Sequence, residues 1–408
     1  MNIDRQRLLF LNIGHSFDHL LMLLFPTVVL GLEDEFNMSY GELISLSIPG
    51  FIAFAAGTLP AGWLGDRWSR TGMMAVFFIG IGIASILTGF AQNTWQIAAG
   101  LGLVGLFASI YHPVGYSILV EGREKVGRLL GINGVFGNFG VAGAALVAAV
   151  LMDLISWRMA FIVPGIAVLL VGFIYVWHIW RYPISSRENY STTNSDQQSD
   201  FRKDITYRRL IFRVLILMAV CTVLSGIIYQ GILIALPKVF DIGLGDLVKT
   251  DLDTGLLVSA VIALAAFAQI GIGWLADKYS PRIIWALLLV AQIPFMALIS
   301  FVSEAGMLTV ALFMMVMVVG EVPVQDVLIT RYTENSWRSR IFGIKFLLAL
   351  APASVAPVLV AVLHGADGRF IWFFVVLCIS ALVVAFLAIL LPEPSRLRNA
   401  SKLTTAAE

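Results

Sequence analysis

Few residues in this chain are equipped for chemistry, and three of them share one helical face. His15, Asp18 and His19 stand at i, i+3 and i+4 inside an apolar run, so on a helix their side chains project from one side. A carboxylate flanked by imidazoles suits a proton-binding group or a substrate contact. Two histidines and a carboxylate are also good transition-metal ligands, which makes His15, Asp18 and His19 an alternative metal set. The plain alternative is a hydrogen-bonded cluster that fixes helix packing. His112 precedes Pro113, and a proline loosens the helix one turn back, near Ser109, so the helix can bend beside a titratable ring. Glu321 and Asp326 flank Pro323 in another apolar run. Asp326 can pair with Arg331. Glu321 has no cation following within helical reach, and Lys345, in a further run, is a candidate partner for it.

The elements that position these groups follow from composition. Of 408 residues, 59% are hydrophobic and 13% charged, about half the charged share of a soluble protein. The apolar residues form runs of roughly 20 or more, the length a helix needs to cross about 30 Å of hydrocarbon. Backbone groups must be paired internally in lipid, so runs this long are expected to be helices. The alternating ten-residue segments of a β-barrel are absent. Twelve spans are expected, near 8–31, 40–63, 72–91, 95–119, 128–152, 160–180, 210–236, 254–276, 282–302, 306–330, 340–363 and 370–391. An ionisable group inside a span is costly and is a functional candidate by default.

An even number of spans puts both termini on one side. Of the 27 Lys and Arg, only Arg158, Lys238, Lys249 and Arg369 fall on the opposite side, and Lys345 lies within a span. The positive-inside rule then places both termini in the cytoplasm. Met1 to Arg7 leads into an apolar run without a cleavage site, so an uncleaved first span is expected. Cys221 and Cys378 both sit in apolar runs and read as packing residues, with no disulfide framework. Residues 181–209 form a long polar connection.

The chain repeats itself. Gly62-Trp63-Leu64-Gly65-Asp66-Arg67-Trp68-Ser69-Arg70 follows span 2, and Gly273-Trp274-Leu275-Ala276-Asp277-Lys278-Tyr279-Ser280, with Arg282 beyond, follows span 8. Pro26 and Pro237, expected to end spans 1 and 7, share the same offset, as do Arg158 and Arg369. Pro113 with Pro323 and Arg128 with Arg340 match it to within one residue. The two halves are parallel repeats. The fold class expected is an all-α membrane protein with twelve transmembrane helices in two six-helix bundles, 1–180 and 210–391, joined by a linker at 181–209 and followed by a cytoplasmic tail, 392–408. Asp66 can accept from backbone N–H groups at a helix start, and Arg67 and Arg70 can bridge to the other half. Asp66, Arg67, Arg70, Asp277, Lys278 and Arg282 are therefore candidates for a cytoplasmic gate.

Twelve spans, the six-plus-six division and the paired Gly-x-Leu-x-Asp-Arg/Lys loop resemble the major facilitator superfamily along nearly the whole chain. Gly14-His15 with Asp18, Tyr111-His112-Pro113 and the stretch Asn133-Gly134-Val135-Phe136-Gly137-Asn138-Phe139-Gly140 resemble its fosmidomycin-resistance-like exporters. The chain departs from those exporters at Val114, where they carry a carboxylate. It also lacks a basic residue other than His112 in span 4. The resemblance implies that spans 1, 4, 7 and 10 line a central cavity, with spans 2, 5, 8 and 11 at its flanks. Asn133 and Asn138 in span 5, and Tyr229 and Gln230 in span 7, then join the candidate substrate or coupling residues. Gly131, Gly134, Gly137, Gly140 and Gly143 allow close helix approach in span 5 and resemble the antiporter signature of that superfamily.

No G-x-x-x-x-G-K-[ST] loop is present, which argues against nucleotide-driven work, and no catalytic triad pattern points to an enzyme. The function expected is secondary transport by alternating access, in the form of proton-coupled export from a bacterial inner membrane. Uptake of a small metabolite, metal ion or metal chelate through the span 1 cluster is the alternative. The expected partners are a small-molecule solute, protons and the lipid bilayer. No cofactor and no nucleic acid are expected, and the chain is expected to act as a monomer.

Overall fold

Apolar runs with no outside partner for their backbone fold into helices, and the described residues contain helices and no strand. The computed structural model describes residues 3–29, 32–38, 40–123, 125–182, 205–247, 251–333, 337–350, 359, 363 and 370–393. Eleven helical segments among them are long and apolar enough to cross a membrane. Spans 1 to 6 are Arg5–Val28, Ile48–Arg67, Arg70–Gly89, Thr94–Val120, Gly127–Met152 and Trp157–Arg181. Spans 7 to 10 and span 12 are Phe212–Phe240, Asp253–Lys278, Pro281–Leu298, Glu304–Tyr332 and Ile371–Leu390. Span 11 is represented by the helix Arg338–Leu350. The rest of its expected course lies outside the described residues, as do the core of the linker and the tail from 394.

Three expected boundaries differ from the helices observed. The span 7 helix runs from Ile205 to Gly243, so it starts inside the expected linker and passes through Pro237. An interior proline removes one hydrogen bond but does not end a helix whose surroundings leave the freed carbonyl a place. Pro26, by contrast, opens the short helix Phe25–Val28 after the first helix ends at Leu23. Span 2 begins late, at Ile48, after a separate turn of helix over Tyr40–Ser45.

Two compact units make up the chain. The first comprises Met1–Glu121, Ile132–Pro183 and Asn335–Leu347, and the second Gly122–Gly131, Ile184–Glu334 and Leu348–Glu408. Within the first, span 3 packs on spans 6 and 4, and span 2 packs on span 4. Within the second, span 9 packs on spans 12 and 10, and span 8 packs on span 10. The pairing is the same in both units, as the sequence repeat requires. In the first unit Glu35 accepts from Trp157 Nε1 at 2.6 Å and from Arg158 Nη1 at 3.0 Å, which ties the first loop to the start of span 6.

Candidate functional site

Span 4 brings the first site together because it does not stay α-helical. The α-helix Thr94–Ala108 gives way to a π-helical turn, Tyr111–Gly115, before α-helix resumes at Tyr116. Pro113 has no N–H and crowds the carbonyl four residues back, and a widened turn relieves both problems. The Pro113 carbonyl is taken up by Ser117 Oγ at 2.7 Å. The widened turn carries Tyr111 and His112, both buried, toward the span 1 face.

There His15 Nδ1 lies 2.7 Å from the Asn133 carbonyl. A carbonyl only accepts, so in neutral His15 the hydrogen sits on Nδ1 and Nε2 presents its lone pair. His19 Nε2 faces that lone pair at 3.2 Å. Tyr111 stacks on His15 with ring centroids 4.9 Å apart and donates to the Leu11 carbonyl at 2.7 Å. Asn133 Nδ2 donates to the Tyr111 hydroxyl at 2.8 Å and to Asn12 Oδ1 at 3.0 Å. Gly137 faces the His15 ring so closely that a Cβ there would lie 2.5 Å from it; the absence of a side chain is what admits the imidazole.

Asp18 is 0% exposed, and its Oδ2 lies 3.3 Å from His112 Nδ1. That is ion-pair distance, but the alignment is not that of a hydrogen bond, and neither Asp18 oxygen accepts one. Asp18 shares a face with His15 and His19 as expected from spacing, yet it turns to His112. One ring nitrogen from each of His15, His19 and His112 lies within 4.8 Å of the others. The three ring nitrogens that converge are thus those of the histidines, while Asp18 lies against His112. The alternative grouping of His15, Asp18 and His19 is not the one brought together, because which helix fills the third position depends on packing between spans.

Glu321 lies in the second unit and is 3% exposed. Its Oε2 accepts from Ser225 Oγ at 3.0 Å, Trp285 Nε1 at 3.0 Å and Gln325 Nε2 at 3.4 Å, and its Oε1 accepts from Gln292 Nε2 at 2.9 Å. Four neutral donors from three spans solvate the carboxylate in place of water. Lys345 is not among these partners. It is buried in the first unit, where its ammonium lies 4.1 Å from the Phe346 ring centroid.

The other expected residues are dispersed. Asp326 is buried, and Arg331 donates to the Ala276 carbonyl at 3.0 Å. Tyr229 and Gln230 are half-buried. Asn138 donates back to Gly134 of its own helix at 3.0 Å.

The repeated loops have one geometry. Asp66 takes the backbone N–H groups of Ser339 at 3.3 Å and Arg340 at 3.1 Å, at the start of the helix Arg338–Leu350. Asp277 takes those of Gly127 at 2.7 Å and Arg128 at 3.0 Å, at the start of Gly127–Leu154. Each carboxylate meets unpaired donors and the positive end of a helix dipole. The cations differ. Arg70 bonds Asp66 at 2.9 Å, Ser339 Oγ at 3.1 Å and Glu121 at 3.2 Å. Arg282 turns to Glu393 at 2.9 Å and to the Leu391 carbonyl at 2.6 Å. Arg67 does not bridge: it is exposed, 5.6 Å from the Trp63 ring centroid, because one residue along a helix turns the side chain about 100° away from Asp66. Lys278 likewise lies 5.1 Å from the Trp274 ring centroid.

The sequence model of the Major Facilitator Superfamily matches residues 11–344 and 247–406. The chain belongs to the Major Facilitator Superfamily. It is a multi-pass membrane transporter of that superfamily, not an enzyme. It is similar to "Multidrug resistance protein MdtG" of Yersinia enterocolitica, 26% identical over 361 residues, covering 88% of this chain and 83% of that protein. The protein of the same name from Salmonella typhimurium is 24% identical over 358 residues, covering 86% and 84%. Among solved structures, the proton:xylose symporter XylE superposes with a TM-score of 0.74 at 16% identity over 95% of each chain. FucP, in the outward conformation, gives 0.68 at 11% identity over 95% of this chain and 98% of its own. These two superpositions show the major facilitator fold.

In this superfamily member, sequence reasoning passed over Asn12, Ser225, Trp285, Gln292 and Gln325, and named Tyr111 only as part of a motif. One signal pointed to the two glutamines: an amide side chain within an apolar run needs a buried partner.

Proposed function

We propose that this protein is a secondary transporter that exports a small amphipathic or anionic solute from a bacterial cell in exchange for protons. Its two six-helix bundles, 1–180 and 210–391, work by alternating access, with both termini in the cytoplasm and the chain working as a monomer in the inner membrane. The observation that carries the coupling assignment is Asp18, a buried carboxylate with no hydrogen-bond donor, 3.3 Å from His112. A proton taken up by this pair changes the charge of a site too dry to hide it. Glu321 is already satisfied by four donors, so it is assigned to holding spans 7, 9 and 10 together. Export is supported by the relatives named for multidrug resistance. The contacts of Asp66 and Asp277 with helix starts serve as a gate that forms in one state and parts in the other.

Proteoliposomes with an imposed pH gradient test the reading, with an amphipathic fluorescent dye as the probe. Dye should move against the proton gradient in the wild type, and Asp18→Asn should abolish gradient-driven flux while dye binding persists. Undiminished flux in Asp18→Asn removes the coupling assignment.

A further inference from the structure

We propose that His15, His19 and His112 form a binding site for a divalent transition-metal cation, with Asp18 supplying the compensating charge. Three observations support this site independently of transport direction. First, the ring nitrogens of the three histidines converge to within 4.8 Å. The His15 and His19 Nε2 atoms are 3.2 Å apart. Imidazole nitrogens on a tetrahedral ion, bound at 2.0–2.1 Å, stand about 3.3 Å from one another. Without an ion, the same spacing serves a His19 N–H that donates to His15.

Second, the outer contacts are those of a metal-binding histidine. His15 donates through Nδ1 to the Asn133 carbonyl, which leaves Nε2 free to ligate. His112 has the Asp18 carboxylate 3.3 Å from Nδ1. A backbone carbonyl is a usual partner that orients a ligating imidazole and raises its basicity; the Asp18 carboxylate, not hydrogen-bonded to Nδ1, acts on His112 by charge and proximity.

Third, Asp18 is a buried carboxylate whose oxygens accept no hydrogen bond. Among neutral rings such a charge calls for a cation. Phe54, Tyr116 and Phe346 wall the His112 side, and their apolar faces keep the local dielectric low and the attraction strong. Three imidazoles favour zinc, copper or nickel over magnesium or calcium, which prefer oxygen ligands.

The test is direct binding to the full-length protein in lipid nanodiscs, with any affinity tag removed. Zn²⁺ titrations should show one saturable site per chain. Co²⁺ should give the intense absorption of a tetrahedral ion. His15→Gln and His19→Gln should each weaken binding at least about tenfold, and Asp18→Asn by about 10–100-fold. His178→Gln, in the last turn of the span 6 helix with its ring near Phe10 and Tyr182, should leave it unchanged. Absence of saturable Zn²⁺ binding to the wild type, or of a tetrahedral Co²⁺ spectrum, overturns the proposal whether or not any variant folds. So does undiminished binding in both His15→Gln and His19→Gln. No gradient or flux enters the measurement, so its outcome is separate from that of the transport assay.

Discussion

Asp18 and His112 come from spans 1 and 4 and meet at 3.3 Å with no hydrogen bond between them and none to either Asp18 oxygen. A buried carboxylate left in this way costs several kcal/mol while it is charged. Buried structural carboxylates are normally met by aligned donors, as Glu321 is. The unfinished contact between Asp18 and His112 is the observation on which the proposed coupling role rests.

His112→Gln should follow from this contact. It keeps a polar side chain of similar reach but cannot take a proton near neutrality. Gradient-driven flux should fall at least about tenfold, with about 1 kcal/mol or less of stability lost. Proteoliposome flux and thermal unfolding on the same preparation check it, and unchanged flux would remove His112 from the coupling pair.

Glu321→Gln should act on stability. One of the two carboxylate oxygens becomes an NH₂, which must then face Gln292 Nε2 or the Trp285 and Ser225 donors. Leaving a buried donor unpaired costs about 1–3 kcal/mol. A lowered unfolding temperature with flux per folded molecule preserved is expected; the opposite pair of results would return Glu321 to the coupling set.

Asp66→Ala should destabilise more than Asp277→Ala. The Asp66 side chain is fully buried and holds Arg70 as well as two backbone donors, whereas among the described residues two backbone donors are seen on Asp277. Losing a helix N-terminal acceptor costs about 0.5–2 kcal/mol, and loss of the Arg70 contact adds to that for Asp66. Thermal unfolding in one detergent ranks the two variants.

Gly273→Ala should be far worse than Gly271→Ala. A Cβ on Gly273 would lie 2.0 Å from the Gly127 carbonyl oxygen, and one on Gly127 would lie 2.1 Å from that of Gly273. The two backbones touch, and this closeness lets Asp277, four residues on, reach the Gly127 N–H. Overpacking of this kind costs about 1–3 kcal/mol. Gly271 faces open space, so alanine there should gain up to about 1 kcal/mol of helix propensity. Equal unfolding temperatures would contradict the close approach.

Much of the architecture was legible without coordinates. Hydrocarbon demands runs of about 20 apolar residues, and a duplicated loop with matching prolines and arginines records the repeat. The common face of His15, Asp18 and His19 was equally legible, because i, i+3 and i+4 spacing is a local property of the helix. So was the looseness before Pro113, although not that it would take the form of a π turn.

The sequence by itself determined the class of the protein, its repeat and the short list of groups able to titrate or ligate. Only the tertiary structure decided which of them meet. It joined His112 to His15 and His19, turned Asp18 toward His112, gave Glu321 to Ser225, Trp285 and Gln292, and placed Lys345 in the other unit from Glu321. The reason is physical: a membrane helix is apolar on nearly every side, so hydropathy fixes its depth but hardly its rotation. Rotation is set by close packing and buried polar contacts between spans. Here those are the glycine facing the His15 ring and the Asn133 carbonyl that holds its Nδ1.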